Sequence, residues 1–215
     1  MATPLRSSPL SLVNLAARQR MLSQRMVLQT MLATQGSEPH LQAARQSLAL
    51  FHRSQATLVD TPRTLDAESA KAVREAYYGP AGVAATIDTF ARQVETTLEL
   101  AEQQSPRAAA ALATLVAGVD GALEALNTAT TAFDQSSKAR SDAMMQELTH
   151  IVASIQTVAR EAKVVSFNAQ VMAARAGQHG REFAVVANVL SGITNEIDTL
   201  SLQAVSLAGR SRAAA

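Results

Sequence analysis

The sequence predicts an all-α protein, in which a four-helix-bundle module continues through a long helix into an antiparallel coiled-coil hairpin. Three observations carry that expectation. The chain is 47% hydrophobic but only 3% aromatic and has no Trp, so Ala, Leu, Val and Gln stand where a globular enzyme carries Phe, Tyr and Trp. Apolar positions recur in alternating steps of three and four. Gly and Pro gather at a few points and leave long runs between them unbroken.

The elements follow from those breaks. Pro4 and Pro9 keep the start extended, and 10–34 reads as a first helix stopped at Gln35-Gly36. Ser37-Glu38-Pro39 restarts the chain as a second helix to about Val59, with Pro at the first helical turn. Asp60-Thr61-Pro62 breaks it. A short helix from about Asp66 to Ala76 follows, ended by Tyr77-Tyr78-Gly79-Pro80, and a further helix covers roughly 82–103. Ser105-Pro106 has the form of an N-cap followed by Pro, and from there to about Ala176 only Gly118 and Gly121 are weak points. One helix of roughly 70 residues and about 100 Å is expected there.

Within that helix Leu112, Leu115, Val119, Ala122, Leu126, Ala129 and Phe133 form a seam that meets Ser136 and Arg140 where apolar residues are due. The module boundary is therefore expected near 134–145. A second seam runs through Ile151, Ile155, Val158, Ala162, Val165, Ala169, Met172 and Ala176, and a third through Phe183, Val186, Leu190, Ile193, Ile197, Leu200, Ala204 and Leu207. The turn Gly177-Gln178-His179-Gly180 lies between them, so a helical hairpin is expected. A hairpin that buries one narrow stripe per helix is marginal alone, and a second copy is its natural partner. The expected modules are 10–105, with a fourth bundle helix from 106 to about 134, and a hairpin over 135–210 with its tip near 176–181.

Composition excludes several roles. With Lys+Arg 19 against Asp+Glu 18, no field favours nucleic acid or an anionic membrane. Cysteine is absent, which removes disulfides, thiolate nucleophiles and Cys-based metal sites. No apolar run approaches the roughly 18 residues of a membrane span, and the opening residues lack a secretory apolar core. A cytoplasmic protein without membrane insertion is the expectation. His40, His52, His150 and His179 are scattered without metal-ligand spacing, and no cofactor, metal or catalytic residue is expected. A histidine kinase is the enzymatic rival, but Ile151 follows His150 where an acid is needed, and no Gly-rich nucleotide segment follows.

The sharpest local chemistry is in the first helix. Val13, Ala17, Arg20, Gln24, Val27 and Met31 alternate in steps of four and three, so Arg20 lies on an apolar packing stripe. A separate stripe, Leu15, Leu22, Met26 and Ala33, can face the protomer's own bundle. If the Arg20 stripe meets its twofold mate, two guanidiniums approach and require an anion between them; two planar forks suit a small planar oxyanion such as nitrate or nitrite. On spacing alone a second reading stays open, in which the stem of Arg20 covers apolar neighbours and its head is in water. Arg18 and Arg25, seven apart on another face, suit solvation or pairing with acids inside the bundle.

At these residues the chain resembles a known family. Asn14-Leu15-Ala16-Ala17-Arg18-Gln19-Arg20-Met21-Leu22-Ser23-Gln24-Arg25-Met26 is similar to the opening motif of the N-terminal domain of type IV pilus methyl-accepting chemotaxis transducers, the PilJ type, and to the nitrate-binding box of nitrate/nitrite sensor kinases. The resemblance implies that Arg20 grips the anion from both subunits of a homodimer, with Asn14, Ala17, Ser23, Gln24 and Arg25 in the surrounding motif. Ala17 stands where the family commonly has Gly. Family members usually leave a membrane span before this helix; only 13 residues precede Asn14, and the expectation is a version that senses an internal anion pool.

The stretch 168–187 resembles the signalling tip of methyl-accepting chemotaxis proteins in Asn168, Arg175, Gly177, Gly180, Arg181 and Phe183 and the apolar residues around them. That likeness implies contact with a chemotaxis kinase and its coupling protein. Met172 and Gln178 replace the usual glutamates and Glu182 a Gly, changes on the surface that recruits partners. Gln146-Glu147 has a faint likeness to a receptor methylation pair. The expected function is signal transduction, sensing an anion and relaying it through the hairpin; a non-sensing helical adaptor docking onto a kinase, cyclase or pilus regulator is the alternative.

Overall fold

The computed structural model describes residues 11–213. They form seven α-helices and two short 3-10 turns, with no strand among the described residues: α1 Leu12–Thr34, α2 Glu38–Asp60, α3 Ala67–Tyr78, α4 Ala84–Glu102, α5 Ala108–Ala117, α6 Val119–Arg175 and α7 Arg181–Ala213. The chain divides into two compact units after Arg140, and α6 contributes residues to both.

Local chemistry accounts for the starts and stops. Ser11 Oγ accepts from the Asn14 N–H at 3.2 Å and caps α1. Pro39 occupies the first turn of α2, and Ser37 Oγ meets His40 Nδ1 at 2.6 Å. Asp66 caps α3 by accepting from the Ser69 N–H at 2.9 Å; that bond and the Ser69 hydroxyl hold its carboxyl below the ordinary carboxylate range.

In the first unit α1 packs on α2, α4 and α5, α2 packs on α4, and α4 on α5. Leu15, Leu22, Met26 and Ala33 are all buried, as one face of α1 should be if it covers the protomer's own core. They meet Leu41, Phe51 and Leu58 of α2, Ile87, Phe90 and Leu98 of α4, and Leu126, Ala129 and Phe133 of α6 in one apolar cluster. Each fully buried large side chain of this kind contributes about 1.5–3 kcal/mol by leaving water. An ion pair between Arg45 and Glu102 joins α2 and α4 at the surface.

The expected single helix from 106 to 176 is two helices. Its regular turns begin at Ala108, two residues later than expected, while Ser105 Oγ accepts from the Arg107 N–H at 3.3 Å. It breaks at Gly118, where α5 and α6 meet at 45°. The Gly118 N–H binds both the Thr114 and Leu115 carbonyls, at 3.2 and 3.1 Å, a tightened final turn. A Cβ at this position would lie 3.2 Å from Gln93 Oε1 of α4, so the missing side chain also lets the bend approach α4. Among the described residues no single helix is long and apolar enough to cross a membrane; the bent pair meets that test only when its two helices are taken together.

The second unit contains the rest of α6, a 3-10 turn at Gly177–Gly180 and α7. Lys163 Nζ donates to Asn195 Oδ1 at 2.9 Å, Ser166 Oγ to the Ala187 carbonyl at 2.6 Å, and Gln170 Nε2 to Asn188 Oδ1 at 2.9 Å. The seam between these helices is not the one expected. Val152, Ala159, Ser166 and Ala173 of α6, Gly180, and Ala187, Thr194 and Ser201 of α7 are the buried residues, one every seven positions through the turn. These side chains are small and let the helices approach closely. The expected seam lies one residue to the side: Ile151, Ile155, Val158, Val165, Met172, Phe183, Val186, Ile193, Leu200 and Leu207 are between 43% and 67% exposed. Ala162, Ala169, Leu190, Ile197 and Ala204 are half-buried at its inner edge.

At the turn Gly177 has φ 58°, in the left-handed region, and a Cβ on Gly180 would collide with the Ala173 carbonyl oxygen. Gly180→Ala is therefore expected to lower the stability of the second unit, whereas Gly192→Ala, in open space in α7, raises it by about 0.5–1 kcal/mol through helix propensity; chemical denaturation of both variants checks the contrast. In the first unit, burial pushes the Tyr77 phenol from its ordinary value near 10 up to about 12. Because the folded pKa lies above the unfolded one, the stability this group supplies is whole below pH 10 and is lost as pH rises toward 12. Relative to Tyr77→Phe, the native chain should lose up to about 2–3 kcal/mol over that range in unfolding experiments.

Candidate functional site

The first helix is chemically lopsided. From Leu12 to Thr34 it carries Arg18, Arg20 and Arg25 and no Asp or Glu. Which arginine is free follows from which face α2 covers. The buried face holds polar residues among its leucines: Gln19, Ser23, Gln29 and Thr30. Gln19 Nε2 donates to the Phe51 carbonyl at 3.0 Å and to Gln55 Oε1 at 3.2 Å. Gln29, with its amide turned to satisfy both ends, donates to Ser47 Oγ at 2.8 Å and to the Ala43 carbonyl at 3.2 Å, and accepts from Arg25 Nε at 3.1 Å.

Arg18 donates from Nη2 to Ser54 Oγ at 2.9 Å. Of the two expectations for Arg18 and Arg25, solvation or pairing with acids, no acid pairs with either; both bond to neutral oxygens of the α1–α2 interface, and Arg25 is exposed. Arg20 differs. Its guanidinium has no hydrogen-bond or ion-pair partner among the described residues, and the residue is exposed.

Its neighbours are exposed too. The face that the protomer leaves uncovered runs through Asn14, Ala17, Met21, Gln24, Leu28 and Met31, in steps of three and four. Met21, Leu28 and Met31 on it are 59%, 53% and 37% exposed. This stripe is turned by one residue from the expected one, whose Val13 and Val27 are half-buried. Arg20 thus borders the uncovered apolar stripe, and does not form its centre line.

Helix geometry sorts the other motif residues. Ala17 and Gln24 sit within one turn of Arg20 and within about 60° of it around the axis, so the three form one surface. Asn14 is about 9 Å away along the axis and a third of a turn around, and its backbone N–H serves the cap. Ser23 is corrected more sharply: it is 1% exposed, and its hydroxyl donates to the Arg20 carbonyl at 2.7 Å, so within the protomer it faces the interior. Arg25 is about 140° around from Arg20 and engaged with Gln29. A surface groove of about 340 Å³ between α4 and α5, lined by Thr89, Arg92, Gln93, Thr96 and Thr114 among others, does not include Arg20.

In the second unit Asn168, Arg175, Arg181 and Phe183 are exposed around the turn, while Gly177 and Gly180 shape it. Arg175 and Arg181 flank the turn, and Glu182 follows in the first turn of α7. Val164, Phe167, Val171, Val185 and Val189 add exposed apolar surface beside it. Among the described residues no group of His, Asp and Glu is arranged to hold a metal ion.

Comparison with family models, curated proteins and solved structures finds no match to this chain. Sequence reasoning missed the polar inner face of α1 and the small-residue seam of the second unit. Both left a signal: Gln19 and Gln29 fall on the same face as Leu15, Leu22 and Met26, and the small side chains recur every seven residues from 152 to 201.

The asymmetry among the arginines has a direct consequence for stability. Arg18→Ala is expected to lower Tm, because Ser54 loses its partner and the half-buried stem no longer covers its neighbours. Arg20→Ala should change stability by no more than about 0.5 kcal/mol. Thermal melts of the two variants check the ordering.

Proposed function

We propose that the chain is a homodimeric signal-transduction protein that senses a small planar anion, nitrate or nitrite, between the first helices of two subunits. The observation that carries this reading is the guanidinium of Arg20, the one of the three α1 arginines without a partner among the described residues, beside an uncovered apolar stripe on a helix with no acid. An isolated exposed arginine needs no explanation; one bordering Met21, Leu28 and Met31 does, because covering those side chains brings Arg20 toward whatever covers them.

If a twofold-related α1 covers the stripe, the two guanidiniums repel by about 2 kcal/mol at ~7 Å for an effective dielectric of 20, and an anion midway attracts each by about 4–5 kcal/mol. Before desolvation is counted, the guest more than offsets the repulsion. Planar forks from both sides match the acceptor geometry of nitrate, and Ala17 leaves space beside each. The resemblance of 14–26 to the PilJ-type and nitrate/nitrite-sensor motif supports the same residue. Occupancy then biases the spacing of the two first helices, a change with differential contacts in its two states.

The first unit is read as a four-helix bundle of α1, α2, α4 and the α5–α6 segment, and the second as an antiparallel coiled-coil hairpin. Lys163 bonds to Asn195, and Gln170, seven residues on, bonds to Asn188, seven residues back, which supports the hairpin. Its uncovered stripe of large apolar residues supports pairing with a second hairpin. The exposed turn, which resembles a chemoreceptor tip, is the surface for a chemotaxis-type kinase and its coupling protein.

Calorimetric titration of the purified chain with nitrate, nitrite and chloride, alongside light scattering, tests the proposal. A dimer that gives heat with nitrate or nitrite and not with chloride, and loses it in Arg20→Ala, is the expected result. A monomer, or nitrate heat unchanged in Arg20→Ala, removes the sensor and leaves a helical adaptor.

A further inference from the structure

Apolar burial by itself does not choose the inner face of α1. The buried stripe is Leu15, Leu22, Met26 and Ala33, and the uncovered one is Ala17, Met21, Leu28 and Met31. Each offers an Ala and three large side chains drawn from Leu and Met, which differ little in volume or in the free energy of leaving water.

The polar side chains are less evenly matched. Gln19 is 1% exposed, and its amide nitrogen donates to the Phe51 carbonyl at 3.0 Å and to Gln55 Oε1 at 3.2 Å. Ten residues on, about 15 Å along the axis, Gln29 donates to Ser47 Oγ at 2.8 Å and to the Ala43 carbonyl at 3.2 Å. The two rungs advance along α1 as they go back along α2, so together they fix register as well as rotation. Gln55 and Ser47 are themselves 8% and 4% exposed. Turning the other stripe inward would set Met and Leu against those two buried groups and leave each with its desolvation penalty unmet.

We propose that the Gln19–Gln55 and Gln29–Ser47 pairs are a rotation lock on α1, with Gln19 as the positioning residue that keeps Arg20 on the uncovered face. A buried polar pair used in this way selects one arrangement among several of similar apolar burial, as a polar residue does in a coiled-coil seam. The consequence for ligand binding rests on the anion-sensing reading of Arg20; the lock itself does not. Only chains with α1 in this rotation present Arg20 for binding, so the apparent anion affinity scales with their fraction.

Gln19→Leu in the full chain tests the lock, with Gln19→Leu/Gln55→Leu as a companion that leaves neither amide without its partner. Rotation is read without any anion, because the sequence has no Cys and an introduced thiol is the single labelling site. Ser23→Cys reports the inner face of α1, where Ser23 is 1% exposed, and Thr97→Cys, at a position of α4 that is 0% exposed, reports general opening of the core. The expected result is that either lock variant accelerates labelling of Ser23→Cys by about tenfold or more, leaves Thr97→Cys protected and keeps the helical circular dichroism, while the apparent nitrate affinity falls by a similar factor. A purely stabilising role would accelerate both thiols together. Unchanged labelling of Ser23→Cys in both variants, equal acceleration of the two thiols, or loss of the helical signal in both variants overturns the proposal. A native chain that gives no nitrate heat removes the sensor reading, and the thiol labelling then decides the lock by itself.

Discussion

The hydrogen bonds of the Gln19 amide govern much of the first unit, because a helix can turn only one face to its neighbours. By reaching the Phe51 carbonyl and Gln55, Gln19 holds that face of α1 against α2. With the rotation set, Leu22 and Met26 enter the core, Arg18 and Arg25 fall at its two edges within reach of Ser54 and Gln29, and Arg20 is left outside. A rotation of one residue, about 100°, would exchange these roles. The chemistry attributed to Arg20 is thus a consequence of packing made by its neighbour.

The second unit obeys a related constraint. Helices that touch through Ala, Ser, Thr and Gly approach closely, and their large side chains then stand at the flank of the contact. In α6 and α7 that flank carries Ile, Val, Leu, Met and Phe at regular heptad spacing. Two apolar surfaces on one helix pair, one narrow and covered, the other broad and open, are what a chain needs when a second pair completes the core. The polar side chains that bond across the pair, Lys163 with Asn195 and Gln170 with Asn188, line the remaining side and mark it as the solvent face.

Much of the fold was legible from the amino acids. The breaks at Gln35-Gly36, Thr61-Pro62, Gly79-Pro80 and Gly177–Gly180 are local backbone chemistry, and they bound the helices to within a few residues. Gly118 was visible as a weak point, but whether a glycine bends a helix depends on what stands opposite, here Gln93 of α4. In the candidate site the periodicity singled out Arg20, Ala17 and Gln24, which do share a surface. The resemblance grouped Ser23 with them, although that hydroxyl turns inward to the Arg20 carbonyl.

By itself the sequence determined that the chain is helical, where most helices begin and end, and that α1 is a cationic segment without acids. Those properties reside in short-range propensity, turn residues and composition. Only the tertiary structure decided which of two adjacent apolar stripes is buried, in α1 and again in α6 and α7, and which of the three α1 arginines is left without a partner among the described residues. Stripes one residue apart read almost alike in a periodic sequence, and the choice between them is made by the size and hydrogen-bonding capacity of side chains on other helices, which local spacing does not contain.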